Sequence, residues 1–101
     1  MAYNYVFLKE AKTELDEAAA YLSAATGSNR ASANLIEQVQ RAIDAICDFP
    51  AMHAISRMPE LAEKGYRAVL LGSYIMLYTF EDETVYIAHI FHQRQDYAQL
   101  V

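Results

Sequence analysis

Arg67 is the only charged residue between Gly65 and Phe80, within the apolar run YRAVLLGSYIMLYTF. Its guanidinium presents a planar fork of donors, so it can meet a phosphate or a partner protein. It can also lie over a neighbouring ring, Tyr78 or Tyr86. His92 and Arg94 stand two positions apart near the C-terminus, a proton carrier and a fixed cation. The same pair, with Asp96 beside it, also fits a solvated tail in which Asp96 pairs Arg94 at modest value.

Other chemistries are excluded more simply. His53, His89 and His92 show no helical i, i+4 spacing, so they make no metal site. His89 is expected to face the core as a neutral, hydrogen-bonded ring. Cys47 is the only cysteine, which rules out an internal disulfide and a cysteine metal cluster. It follows Ile46 on an apolar helix face and is expected to be a buried thiol. No Gly-rich phosphate loop is present, and no cofactor or metal is expected. The tyrosines number 8 and fit core and interface better than catalysis.

The elements that must position these side chains are legible as a pattern. Residues 3–8 (YNYVFL) are β-rich and open the fold as a strand. Residues 9–25 carry Ala11, Leu15, Ala18, Ala19 and Leu22 at helical spacing. Gly27 is a natural left-handed stop, and Ser28 or Asn29 can cap a second helix running to about Asp48. Its inner stripe is Ala31, Leu35, Val39, Ala42, Ile43 and Ile46. Helix, short turn, helix makes an antiparallel hairpin. Phe49-Pro50 ends it, residues 51–64 are irregular with a short helical turn near Pro59 to Glu63, and Gly65 releases a strand block. Gly72-Ser73 suits a two-residue hairpin turn, and Glu81-Asp82-Glu83 a three-residue loop. The expectation is one α+β domain over 1–101, β-α-α-β-β-β, with a helical hairpin packed on one face of a small antiparallel sheet.

That register puts Tyr66, Ala68, Leu70, Ile75, Leu77, Thr79, Val85, Ile87 and His89 on one face, the more aliphatic one, which is assigned to the helices. Arg67, Val69, Met76, Tyr78, Tyr86, Ala88 and Ile90 then fall on the open face, with Arg67 opposite Tyr78. His92 falls near Gly72, about five residues along from Arg67, or roughly 16 Å at strand rise, too far for one compact site.

Composition narrows the partners. The chain has 101 residues and is 54% hydrophobic, enough for one modest core. Net charge is −5 and evenly spread: 4 Lys/Arg against 7 Asp/Glu in residues 1–49, and 4 against 6 in residues 50–101. Non-specific nucleic-acid binding depends on phosphate neutralisation, so an acidic domain without a basic cluster is poorly suited to it. Apolar runs fall short of the ~18 residues needed to span a membrane, and the N-terminus lacks a signal-peptide pattern. No membrane contact and a cytoplasmic location are expected.

Several segments together resemble the RelE/ParE toxins of bacterial toxin–antitoxin pairs. They are Ala11, Leu15, Ala18, Tyr21 and Leu22 in the first helix, AIDAICDFP (42–50) and GYRAV (65–69). Next come SYIMLY (73–78), an acidic turn, VYI (85–87) and HQRQDY (92–97). The similarity covers nearly the whole chain in order. It implies the toxin component of a type II system, a plasmid-stabilisation type of protein whose growth inhibition a cognate antitoxin blocks. A homodimer or a heterotetramer with the antitoxin is a further implied state.

Two activities dominate that superfamily. RelE-like members cut mRNA in the ribosome, and ParE-like members act on DNA gyrase without nuclease chemistry. RNA cleavage needs activation of the ribose 2′-hydroxyl, cations at the phosphate and an acid for the leaving oxygen. The resemblance would assign those roles to Arg67, His92, Arg94 and a C-terminal tyrosine, Tyr97. Nuclease members commonly carry arginine in a strand motif R-L-V-Y, and the matching run here begins with Ile75. With the acidic charge, this favours a ParE-like toxin directed at DNA gyrase. A ribosome-dependent mRNA endonuclease and an inactive partner-binding member are the alternatives.

Overall fold

The structure, a computed structural model, describes residues 3–95; the candidate Tyr97 lies outside the described residues. The chain runs β1 (Asn4–Phe7), α1 (Lys9–Thr26), α2 (Arg30–Asp48), α3 (Pro59–Ala62), β2 (Arg67–Leu71), β3 (Tyr74–Glu81) and β4 (Thr84–His92). The expected β-α-α-β-β-β order holds, with the one-turn α3 between the hairpin and the strand block. The strands lie in the order β1-β4-β3-β2. β2, β3 and β4 form an antiparallel meander, while β1 joins β4 in parallel, from Asn4 opposite Thr84 to Phe7 opposite Ile87. The sheet is therefore mixed, not wholly antiparallel. The helical hairpin and meander return the chain beside its first strand in the same direction, and a long crossover of this kind permits parallel pairing.

Local chemistry explains the hairpin. Gly27 takes φ 68°, which glycine adopts without a Cβ penalty, and its N–H donates to the Ser23 carbonyl to close α1. Asn29 stands at the cap of α2 without a side-chain cap bond; Ser28 Oγ instead accepts the Arg30 N–H at 3.1 Å. Leu35, Val39, Ile43, Ile46 and Cys47 form the buried stripe of α2. Burial pushes the Cys47 thiol up, with Asp44 and Asp48 adding to the shift, so the fold favours the unreactive thiol.

The faces of the sheet are the main correction. The helices cover Val69, Leu71, Tyr74, Met76, Tyr78, Val85, Ile87 and Ile90, so for β2 and β3 the assigned face is reversed. The other face holds a second cluster, Ile75, Leu77 and Phe91, which Leu61 of α3 closes with Met58, Tyr66 and Ala68. Both faces of β3 are therefore apolar, and alternation alone does not choose between them. Val85 and Ile87 do face the helices; His89 pairs with Leu77 on the opposite face. Arg67 lies opposite Tyr78 as expected, but on the helix side of the sheet.

A bulge reconciles these positions. The turn after β3 has two residues, Asp82 and Glu83, because Glu81 pairs with Thr84; the expected three-residue loop is one too long. Asp82 supplies the left-handed residue at φ 54°. Between Leu77 and Tyr78 the register slips: Leu77 faces His89 and Tyr78 faces Ile87, leaving Ala88 without a partner. Inserting one residue next to Ala88 would exceed what a one-residue bulge absorbs and force one half of β4 onto the wrong face. Urea melts are expected to show a loss of about 3 kcal/mol or more, or no cooperative transition. Unchanged stability would mean that the bulge does not set the register.

Candidate functional site

Arg67 and Tyr78 together hold the loop that follows α2. The Tyr78 hydroxyl, fully buried, donates to the Pro50 carbonyl at 2.6 Å. Arg67 Nη1 donates to the His53 carbonyl at 2.6 Å, and its guanidinium lies 5.4 Å from the centre of the Phe80 ring. The ring beneath Arg67 is thus Phe80, not Tyr78 or Tyr86. His53 also packs edge-on against Tyr78 at 6.3 Å. Burial raises the Tyr78 phenol above its ordinary range, with the His53 backbone and Arg67 pulling the other way. Above these anchors the loop presents Phe49, Met52 and Ile55 to solvent. Arg67 therefore fixes a surface loop and meets a backbone carbonyl there.

His92 and Arg94 lie at the other end of the sheet. His92 pairs with Tyr74 beside the Gly72-Ser73 turn, and the two rings meet edge-on at 5.2 Å. His92 Nδ1 accepts the Arg94 N–H at 3.1 Å, and the His92 N–H donates to Gln95 Oε1 at 2.8 Å. These contacts close a tight turn at the end of β4. His92 and Arg94 also line an open groove of ≈ 920 Å³ between α1 and the end of β4, which Glu10, Glu14, Glu17 and Tyr21 face from the helix.

The groove contains a polar contact that sequence reasoning missed. Glu14 Oε1 accepts the Ile90 N–H at 2.9 Å, and His89 Nδ1 lies 3.1 Å from Glu14 Oε2. His89 also stacks on Phe91 at 5.0 Å and meets Tyr66 edge-on. So His89 is well packed and hydrogen-bonded, but at the strand edge and away from the helical core. Glu14 sat among the polar residues of an amphipathic helix, 75 positions from its partner. No local pattern could have singled it out.

The structure brings His92 and Arg94 together and places Arg67 away from them. Arg67 is opposite Tyr78 and His92 is opposite Tyr74, so four residues of β3 separate their levels, roughly 13 Å at about 3.3 Å per residue. β2 and β4 flank β3 on opposite sides, which adds about 10 Å across the sheet. Ile75, at the position where nuclease members commonly have arginine, is buried against Leu61, Leu77 and Phe91. Among the described residues no group of three or more His, Cys, Asp or Glu is placed to hold a metal ion. No helix of the described residues is long and apolar enough to cross a membrane.

A helical hairpin on a small mixed sheet, with an open groove beside the strand that ends it, defines a compact α+β domain. The chain belongs to the ParE toxins of type II toxin–antitoxin systems, the parDE type, whose family model matches residues 5–97. No curated protein matches the sequence. Among solved structures, the chromosomal ParDE toxin–antitoxin system of P. aeruginosa is similar at TM-score 0.69 and 13% identity, over 90% of this chain and 96% of that one. The RelBE2 toxin–antitoxin complex of Mycobacterium tuberculosis is similar at TM-score 0.61 and 23% identity, over 91% and 99%. At these identities the two neighbours share the fold.

Tyr78→Phe tests the loop anchor. It leaves the buried Pro50 carbonyl without its donor, at an expected cost of about 1–3 kcal/mol in urea melts at neutral pH. The pH dependence has a definite sign. The phenol is raised in the fold, so its contribution is complete below the ordinary value of 10.0 and is lost as pH rises through the raised value. Stability of the parent chain should therefore fall above pH 10.0, and the Tyr78→Phe variant should fall less steeply. Tyr66 and Tyr74, also raised by burial, keep part of the slope.

Proposed function

We propose that this chain inhibits growth by binding DNA gyrase in the cytoplasm, and that a cognate antitoxin blocks it by covering its surface. The observation that carries this reading is the placement of the cationic and acid–base side chains. Arg67 is engaged with the His53 carbonyl at one end of the sheet, while His92 and Arg94 close a turn at the other. A phosphate met by one would lie out of reach of the other, so no single centre could both stabilise its charge and move its protons. Ile75 supports the same reading, since a buried aliphatic side chain offers a scissile phosphate nothing. The net charge of −5 is also unsuited to holding mRNA through its backbone. Binding to a protein target needs none of this chemistry. It needs exposed complementary surface, and the loop bearing Phe49, Met52 and Ile55 provides some.

The test is induced expression in a bacterium without the antitoxin, following growth, mRNA 5′ ends and a DNA-damage reporter together. Arrest with intact transcripts and an induced reporter is expected, and co-expression of the antitoxin should relieve it. New codon-phased mRNA ends would contradict the proposal and make the chain a ribosome-dependent endonuclease.

A further inference from the structure

The loop after α2 is pinned on both sides of one residue. Tyr78 holds the Pro50 carbonyl and Arg67 holds the His53 carbonyl, each at 2.6 Å. Between these anchors the Met52 N–H donates to the Phe49 carbonyl at 3.0 Å. With its backbone fixed in this way, Met52 is held at the surface, 52% exposed, with Phe49 and Ile55 exposed on the same loop. The other methionines of the described residues are placed differently. Met76 has no solvent exposure, and Met58 packs against the cluster around Leu61.

Exposure decides which sulfur an oxidant can reach. A thioether carries its nucleophilic lone pairs at every pH, so access is what limits it, whereas a thiol reacts through its thiolate. Cys47, the only cysteine, is buried, and burial with Asp44 and Asp48 pushes its thiol up, so little thiolate forms. The group that ordinarily reacts first is thus withdrawn, and Met52 is the most accessible sulfur among the described residues. The chemistry is a two-electron oxygen transfer from hydrogen peroxide. The sulfur lone pair attacks one peroxide oxygen, and the S–O bond forms as the O–O bond breaks. The proton of the transferred hydroxyl passes to the departing hydroxide, leaving methionine sulfoxide and water. Sulfoxide reductases reverse the step with thiols as reductant: two thiols become a disulfide and the oxygen leaves as water.

We infer that Met52 is a site of reversible oxidation by peroxide, and that its sulfoxide turns the apolar contact surface of the loop polar. The sulfoxide oxygen is a hydrogen-bond acceptor set between two exposed apolar side chains, Phe49 and Ile55. Covering it with an apolar partner strips it of water and gives it no donor in return. The two anchors keep the loop from carrying the modified side chain aside, so a partner that avoids the oxygen also loses contact with its neighbours. The effect on a target rests on the proposed function, which gives this loop its partner. The selectivity of the oxidation does not.

The test uses the purified chain before and after treatment with hydrogen peroxide, alongside the Met52→Leu variant. Peptide mass mapping should find Met52 oxidised about tenfold faster than Met58 and Met76, with Cys47 still open to alkylation after unfolding. On a butyl column the oxidised chain should elute earlier than the untreated one. Methionine sulfoxide reductase with dithiothreitol should restore the original elution. In gyrase supercoiling the oxidised chain should need about tenfold more protein for the same inhibition. Met52→Leu, compared with itself before and after peroxide, should lose most of both shifts, which separates Met52 from Met1. Oxidation of Met58 or Met76 as fast as Met52, unchanged elution, or shifts of the same size in Met52→Leu would overturn the inference. So would undiminished inhibition by an oxidised chain whose untreated form inhibits. An untreated chain that spares gyrase would fail the proposed function alone, since the mapping and the column still decide this inference.

Discussion

One unpaired residue, Ala88, decides how the whole sheet is used. Without the slip between Leu77 and Tyr78, strict alternation would place Ile87 and His89 on the same face. With it, Val85 and Ile87 join Tyr78 against the helices, while Phe91, with His89 stacked on it, joins Leu77 and Ile75 under Leu61 of α3. Two small cores can then share one central strand pair. The helical core takes Val69, Met76, Tyr78 and Ile87 with the stripe of α2, and the second takes Ile75, Leu77 and Phe91 under Leu61. The slip also brings the backbone donors of Ile90 and His92 to an edge that β1 does not reach, and so creates the contact to Glu14.

The second constraint is the buried Tyr78 hydroxyl. A phenol with no solvent exposure must find an acceptor, and it finds the Pro50 carbonyl. Arg67 takes a second carbonyl of the same segment, that of His53. Together they convert an irregular segment after a helix break into a fixed loop, and this is why Phe49, Met52 and Ile55 can remain outside the core without collapsing into it. A loop held at two points has less freedom to lose on meeting another surface than an unanchored one.

Much of this was legible in the sequence where one residue type has one physical use. Gly27 marked the end of α1, Gly72-Ser73 the first turn, and Leu35, Val39, Ile43 and Ile46 the inner stripe of α2. The family was legible as well, because its ordered motifs extend along nearly the whole chain. The sheet faces were not. Val69, Met76 and Tyr78 on one side and Ala68, Ile75 and Leu77 on the other are equally apolar, and choosing between them required a bulge that has no local signature. The pairing of Glu14 with His89 and Ile90 was equally hidden, since it joins a polar helix face to a strand edge 75 positions away. The separation of Arg67 from His92 was legible because it depends on strand length, which the first turn fixes.

On the function we propose, this chain acts by binding and not by cutting. The most direct measurement is purified: gyrase supercoiling of relaxed plasmid and mRNA integrity on translating ribosomes, each titrated with the same preparation. The account predicts that supercoiling is inhibited, that the inhibition persists in an Arg94→Ala variant, and that ribosomal mRNA stays whole. Unimpaired gyrase together with mRNA cut on the ribosome would contradict it.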